Sequence, residues 1–104
     1  MTDTRRTELH TKLCELLGTN HVYFQPPESV RMKYPAIVYS LSAGRMRYAN
    51  NKTYVFRRRY AVTIIDKDPD ADWAERMQYS FEYCEFERAY AAENLNHWQF
   101  SLYY

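Results

Sequence analysis

A chain of 104 residues opening on Met1, 46% hydrophobic and 26% charged, is expected to be a complete single domain. At that length one modest core is the limit, burying roughly 65% of the surface the extended chain exposes. Fourteen Lys and Arg against thirteen Asp and Glu leave a net charge of +1, which gives no global attraction to nucleic acid or an anionic membrane. Two Gly and four Pro exclude a flexible low-complexity chain, and no apolar run reaches the ~18 residues of a membrane-spanning helix.

The first expected element is a helix. Leu9, Leu13, Leu16 and Leu17 form one apolar stripe at helical spacing, with Glu8, Lys12 and Glu15 outside it. Thr4 or Thr7 offers a cap, and Gly18 stands where a left-handed residue ends a helix. So short a helix is marginal alone in water, and its stripe must dock on something. Residues 21–25 read as a short strand stopped by Pro26 and Pro27, and residues 36–42, introduced by Pro35, as a strong one. Residues 43–53, with Gly44, Asn50 and Asn51, read as an extended hairpin connection.

Residues 54–66 form the next expected strand. Tyr60, Val62 and Ile64 share one face and Ala61, Thr63 and Ile65 the other, so its end is buried on both sides. The run 66–72 breaks it. Asp72 with Glu75 fits a capping box, and Trp73 and Met77 begin a short second helix reaching about Tyr79. Residues 82–90 alternate, with Cys84 and Phe86 against Glu85 and Glu87. In the last run Trp98, Phe100, Leu102 and Tyr104 point one way and His97, Gln99, Ser101 and Tyr103 the other. The order is α-β-β-β-α-β-β. It predicts an α+β domain, a mostly antiparallel sheet packed against the two helices, with a long charged hairpin.

Four constellations invite chemistry. Asp66, Asp68, Asp70 and Asp72 alternate as calcium ligands do, but the EF-hand positions for Gly and Glu hold Ala71 and Met77. A strand-to-helix turn with aspartates at the helix start is the expected reading. Arg57, Arg58 and Arg59 lie among Tyr54, Phe56 and Tyr60, a mixture able to hold single-stranded nucleic acid. Only two of the three arginines face one side of a strand, so a solvated or intersubunit role is expected instead. His10, His21 and His97 have no nucleophile motif beside them, and Gly18 and Gly44 form no phosphate loop, so no catalytic residue and no cofactor is expected. Cys14 and Cys84 are expected to be reduced, and no metal site is expected.

Two further features bear on partners. Pro26-Pro27 followed by residues 28–33 reads either as a plain connection or as an arm for a partner. Aromatic content is high, 17% with 11 Tyr, and at low net charge this favours protein surfaces. Arg45 and Arg47 on one limb of the hairpin and Arg57 and Arg59 on the other make it strongly basic, while acidic residues elsewhere balance it. Such bipolarity suits head-to-tail association of identical subunits. Residues 1–17 lack the apolar stretch of a signal peptide, so the chain is expected to stay in the cytoplasm of the cell that makes it.

The phrases VYFQPPESVRMKYPAIVYS (22–40), YAVTIIDKDPDAD (60–72) and ENLNHWQFSLYY (93–104), spread over nearly the whole chain, resemble the tail completion proteins of long-tailed bacteriophages. That group includes tail terminators and tail-to-head joining proteins. The resemblance implies an α+β subunit assembling as a six-fold ring at the head-proximal end of the tail. The ring caps the tube, stops its polymerisation and presents a surface to the head–tail connector. The implied partners are other copies of the chain, the tail tube protein and the connector or neck protein, in the virion, with DNA passing through without sequence-specific binding. Head–tail neck adaptors have related work but tend to be helical, so the strands favour the tail side. A nucleic-acid-binding accessory protein and a small hydrolase stand behind these readings. On the structural reading, the interface residues are expected to be Arg45, Arg47, Arg57 and Arg59 on the hairpin, with Tyr103 and Tyr104 at the terminus.

Overall fold

The computed structural model describes residues 5–48 and 56–104, with backbone alone for 43–48 and 56–57. Two helices, α1 (Arg5–Leu17) and α2 (Trp73–Ser80), accompany five strands: β1 (Val22–Phe24), β2 (Ala36–Tyr48), β3 (Phe56–Asp66), β4 (Cys84–Ala92) and β5 (Leu95–Tyr103). The chain is α+β, as its periodicities predict. The strands make one sheet ordered β1-β2-β3-β5-β4, parallel only between β1 and β2.

The core lies between the helices and one face of the sheet. Leu9, Leu13 and Leu17 of α1 are buried, with Leu16 packed beside them, against Val22, Ile37, Tyr39, Tyr60, Val62 and Ile64. Trp73 and Met77 of α2 bury with Phe81 against Trp98, Phe100 and Leu102. Gly18 takes φ +83°, and its N–H donates to Cys14 O at 2.8 Å, closing α1 as a left-handed end. The helix already includes Arg5, so Thr7 lies within it and its carbonyl accepts from Thr11 Oγ1 at 3.1 Å. The capping suggestion at Thr4 lies outside the described residues.

Two local expectations are corrected. The hairpin connection foreseen from residue 43 begins later, because β2 continues to Tyr48 with Met46, Arg47 and Tyr48 opposite Arg58, Arg57 and Phe56. Between Leu41 and Met46 the ladder advances five residues on β2 against two on β3 (Leu41↔Tyr60, Met46↔Arg58), and Gly44 falls in that bulge. Asn50, Asn51 and the foreseen start of β3 at Tyr54 lie outside the described residues. The capping box does not form either. Asp72 makes no side-chain cap bond, and its Oδ1 instead meets Arg76 Nε at 2.9 Å one turn on.

The acidic run folds as successive Asx turns. Asp66 Oδ1 accepts the Asp68 N–H at 3.2 Å and Asp68 Oδ1 the Asp70 N–H at 2.9 Å. Asp66 Oδ2 accepts from Trp73 Nε1 at 2.8 Å, which ties the end of β3 to the start of α2. Residues 25–35 form the crossover between the parallel strands β1 and β2, turning where Val30 N–H donates to Pro27 O at 3.1 Å.

Candidate interaction surface

Strand lengths decide what the sheet leaves open. β5 reaches only to Tyr103, opposite Arg59, and β1 only to Phe24, opposite Tyr39. Past these points β2 and β3 continue as a two-stranded ribbon with no third strand among the described residues. β2 is 13 residues long, about 43 Å if fully extended at ~3.3 Å per residue. The ribbon therefore leaves the body of the domain.

Arg47 and Arg57 are register partners across this ribbon, and Arg45 falls in the irregular stretch of β2 before Met46. Arg59 sits at the root, where its Nη2 donates to Ser101 Oγ at 3.3 Å. Tyr103 N–H donates to Tyr83 O and Tyr104 N–H to Arg58 O, each at 2.9 Å. Lys12 Nζ stands 5.2 Å from the Tyr104 ring centre, and Phe81 meets the same ring edge-on at 6.3 Å. The fold thus gathers Arg59, Tyr103 and Tyr104 at the ribbon's root, with Arg45, Arg47 and Arg57 farther along it. β5 is not itself an edge; β3 and β4 flank it.

The sheet face opposite the helices presents a shallow trough of about 330 Å³ lined by Arg59, Ala61, Thr63, Glu87, Arg88, Gln99 and Ser101. Arg88 Nε donates to Gln99 Oε1 at 2.8 Å across its floor. Its makeup follows from alternation: Tyr60, Val62 and Ile64 of β3 and Trp98, Phe100 and Leu102 of β5 join the helix-side core, while Ala61, Thr63, Gln99 and Ser101 fall between them.

Sequence reasoning did not single out β4. It is the outermost strand beside β5, and every residue from Glu85 to Ala92 is exposed. Phe86 and Tyr90 are 44% and 37% exposed; Phe86 contacts Phe100, and Tyr90 stacks on His97 at 4.7 Å. A bulge at Phe86/Arg88 interrupts its ladder. The available signal was compositional: charged residues such as Glu85, Glu87 and Arg88 within a strand are typical of a sheet edge.

The three histidines stand apart in the fold. His10 bonds Tyr39 from α1, His21 Nδ1 lies 3.3 Å from Pro35 O, and His97 stacks on Tyr90. No group of three or more His, Cys, Asp and Glu side chains is placed to hold a metal among the described residues. Cys14 on α1 and Cys84 on β4 are both free thiols. Burial pushes the Cys84 thiol up to about 11, with the Glu85 carboxylate adding to it. No helix among the described residues is long and apolar enough to cross a membrane.

No protein-family model matches the chain, and a search of curated proteins returns no significant relative.

Proposed function

We propose that this chain is a virion structural protein of a long-tailed phage that caps the head-proximal end of the tail tube as a ring of identical subunits. It ends tail polymerisation and offers the surface on which head and tail join. The observation that carries the reading is the two-stranded ribbon projecting past a small α+β body, five arginines in its strands and at its root. A ribbon held by backbone pairing keeps its direction and offers a strand edge to a neighbour. The likeness of the strand phrases to tail completion proteins supplies the biological setting, and a five-stranded body favours the tail side over a helical neck adaptor. Six-fold stoichiometry, the tail tube protein and the neck protein belong to this proposal.

Electron microscopy of particles from a lysate in which this gene alone is disrupted tests it. Overlong or irregular tails separated from filled heads are expected for a terminator. Normal-length tails beside unjoined filled heads would assign the joining role instead. Intact infectious virions would overturn the structural reading. The nucleic-acid alternative would then be tested by the salt dependence of binding, which phosphate contacts make steep.

A further inference from the structure

Two open features of the sheet carry opposite charge. Along the β4 edge, residues 82–93 hold Glu82, Glu85, Glu87 and Glu93 against the single Arg88. Residues 42–61, which include the ribbon, hold Arg45, Arg47, Lys52, Arg57, Arg58 and Arg59 and no acidic residue. β4 offers 9 residues of strand with no neighbour beyond it among the described residues, an edge of about 30 Å at ~3.3 Å per residue. The ribbon's outer edges likewise have no paired strand among the described residues past Tyr39 on β2, where Gln25 Oε1 still accepts the Leu41 N–H at 3.1 Å, and past Arg59 on β3, where Arg58 O still accepts the Tyr104 N–H at 2.9 Å.

A bare strand edge is a template for another strand unless something blocks it. Charge decides which strand. Two β4 edges would bring glutamates together, and two ribbons would bring arginines together, so a symmetric contact is repulsive on either surface. The heterologous contact sets Glu85 and Glu87 against arginine. We propose that the β4 edge of one copy pairs with the basic β2–β3 ribbon of a second copy, head to tail. The exposed rings of Phe86 and Tyr90 add apolar area to that contact. The interface supplies the subunit contact that the ring requires and rests on that reading for its setting, while its chemistry is testable without a phage.

The test uses two charge-reversed proteins, an edge variant (Glu85→Lys with Glu87→Lys) and a ribbon variant (Arg45→Glu, Arg47→Glu and Arg57→Glu). Sedimentation velocity on the wild-type chain should show self-association that weakens at least tenfold between ~50 mM and ~500 mM salt. Each variant alone should remain folded by circular dichroism and sediment as a monomer. Their equimolar mixture should associate again, because each reversed surface then meets its complement. A misfolded protein cannot give that rescue. Ala91→Lys with Glu93→Lys provides a second edge variant with the same readout.

A wild-type chain monomeric at every attainable concentration would overturn the interface. So would variants that self-associate like the wild type, or folded variants whose mixture stays apart. The interface and the phage reading fail separately. Rescue in the mixture beside intact virions from the disrupted gene would remove the phage role and keep the contact. Tail defects without rescue would do the reverse.

Discussion

The Tyr39 hydroxyl lies 2.8 Å from His10 Nδ1, and Arg6 Nη1 donates to the same hydroxyl at 3.4 Å. A guanidinium only donates, so the Tyr39 oxygen accepts from Arg6, while the direction of its bond to His10 follows the imidazole tautomer. Burial, and then the Arg6 charge, hold His10 below its ordinary 6.5. This junction links α1 to β2 beside Phe24, whose ring lies 4.5 Å from the Arg6 guanidinium carbon.

Lowering the pH should loosen that junction. The unfolded chain takes up the His10 proton more readily than the folded one, so this contribution is fully present above pH 6.5 and is lost as pH falls through the lower folded value. Thermal melts at about pH 7.5 and about pH 5 should show a larger loss for the wild type than for His10→Gln, which keeps a polar side chain without the titration. Equal losses would remove His10 from the acid response. Tyr39→Phe should cost about 1 kcal/mol at neutral pH, since half-buried His10 can turn to water.

The leucine stripe of α1 should divide by depth. Leu13 is 0% exposed inside the core, whereas Leu16 packs at its rim. Leu13→Ala leaves a cavity that the sheet cannot collapse into and should cost about 3 kcal/mol. Leu16→Ala removes contacts but lets water in, and should cost roughly 1 kcal/mol. Urea titrations with an unchanged slope measure both. Equal costs would mean that the helix docks in another rotation.

Cys84 should be a slow thiol. Its ordinary value of 9.0 is pushed up to about 11 by burial and by Glu85, and burial also raises Cys14. A disulfide-exchange reagent at neutral pH should label the native chain roughly tenfold or more slowly than the chain unfolded in guanidinium. Fast native labelling would contradict the partial burial of Cys84 and Cys14. The linkage sign is that of an acid raised by folding. Stability from Cys84 is complete below pH 9.0 and lost as pH climbs toward about 11.

What the sequence made legible was what neighbours in the chain decide. Leu9, Leu13 and Leu17 repeat at helical spacing, and Tyr60, Val62 and Ile64 alternate, so element type and the face turned to the core could be read from them. The extension of β2 to Tyr48 depends on Arg57 lying opposite Arg47, a long-range pairing with no local mark. Strand order was hidden for the same reason. β4 and β5 both alternate, and only the pairing of β5 with β3 leaves β4 outside. Asp72 shows the limit of a capping motif: Arg76 one turn on competes for its carboxylate and holds it. The basic hairpin and the glutamates of residues 82–93 were both visible in composition, but those glutamates gain meaning only once β4 is known to be an edge.

Asp66 should prove the structural member of the acidic run. One of its oxygens receives the indole N–H of Trp73, a residue only 6% exposed, and the other receives the Asp68 N–H. Asp66→Ala strands a largely buried donor and should cost about 2 kcal/mol, because leaving such a group unpaired loses its full hydration. Asp68→Ala removes an exposed turn bond to the Asp70 N–H and should cost about 0.5 kcal/mol. Urea midpoints of the two variants should separate accordingly; equal losses would mean that the indole finds another acceptor. Millimolar calcium should leave the wild-type midpoint unchanged, because a ligand that does not bind the native state cannot stabilise it. A rise with calcium that Asp66→Ala abolishes would instead make the run a cation site.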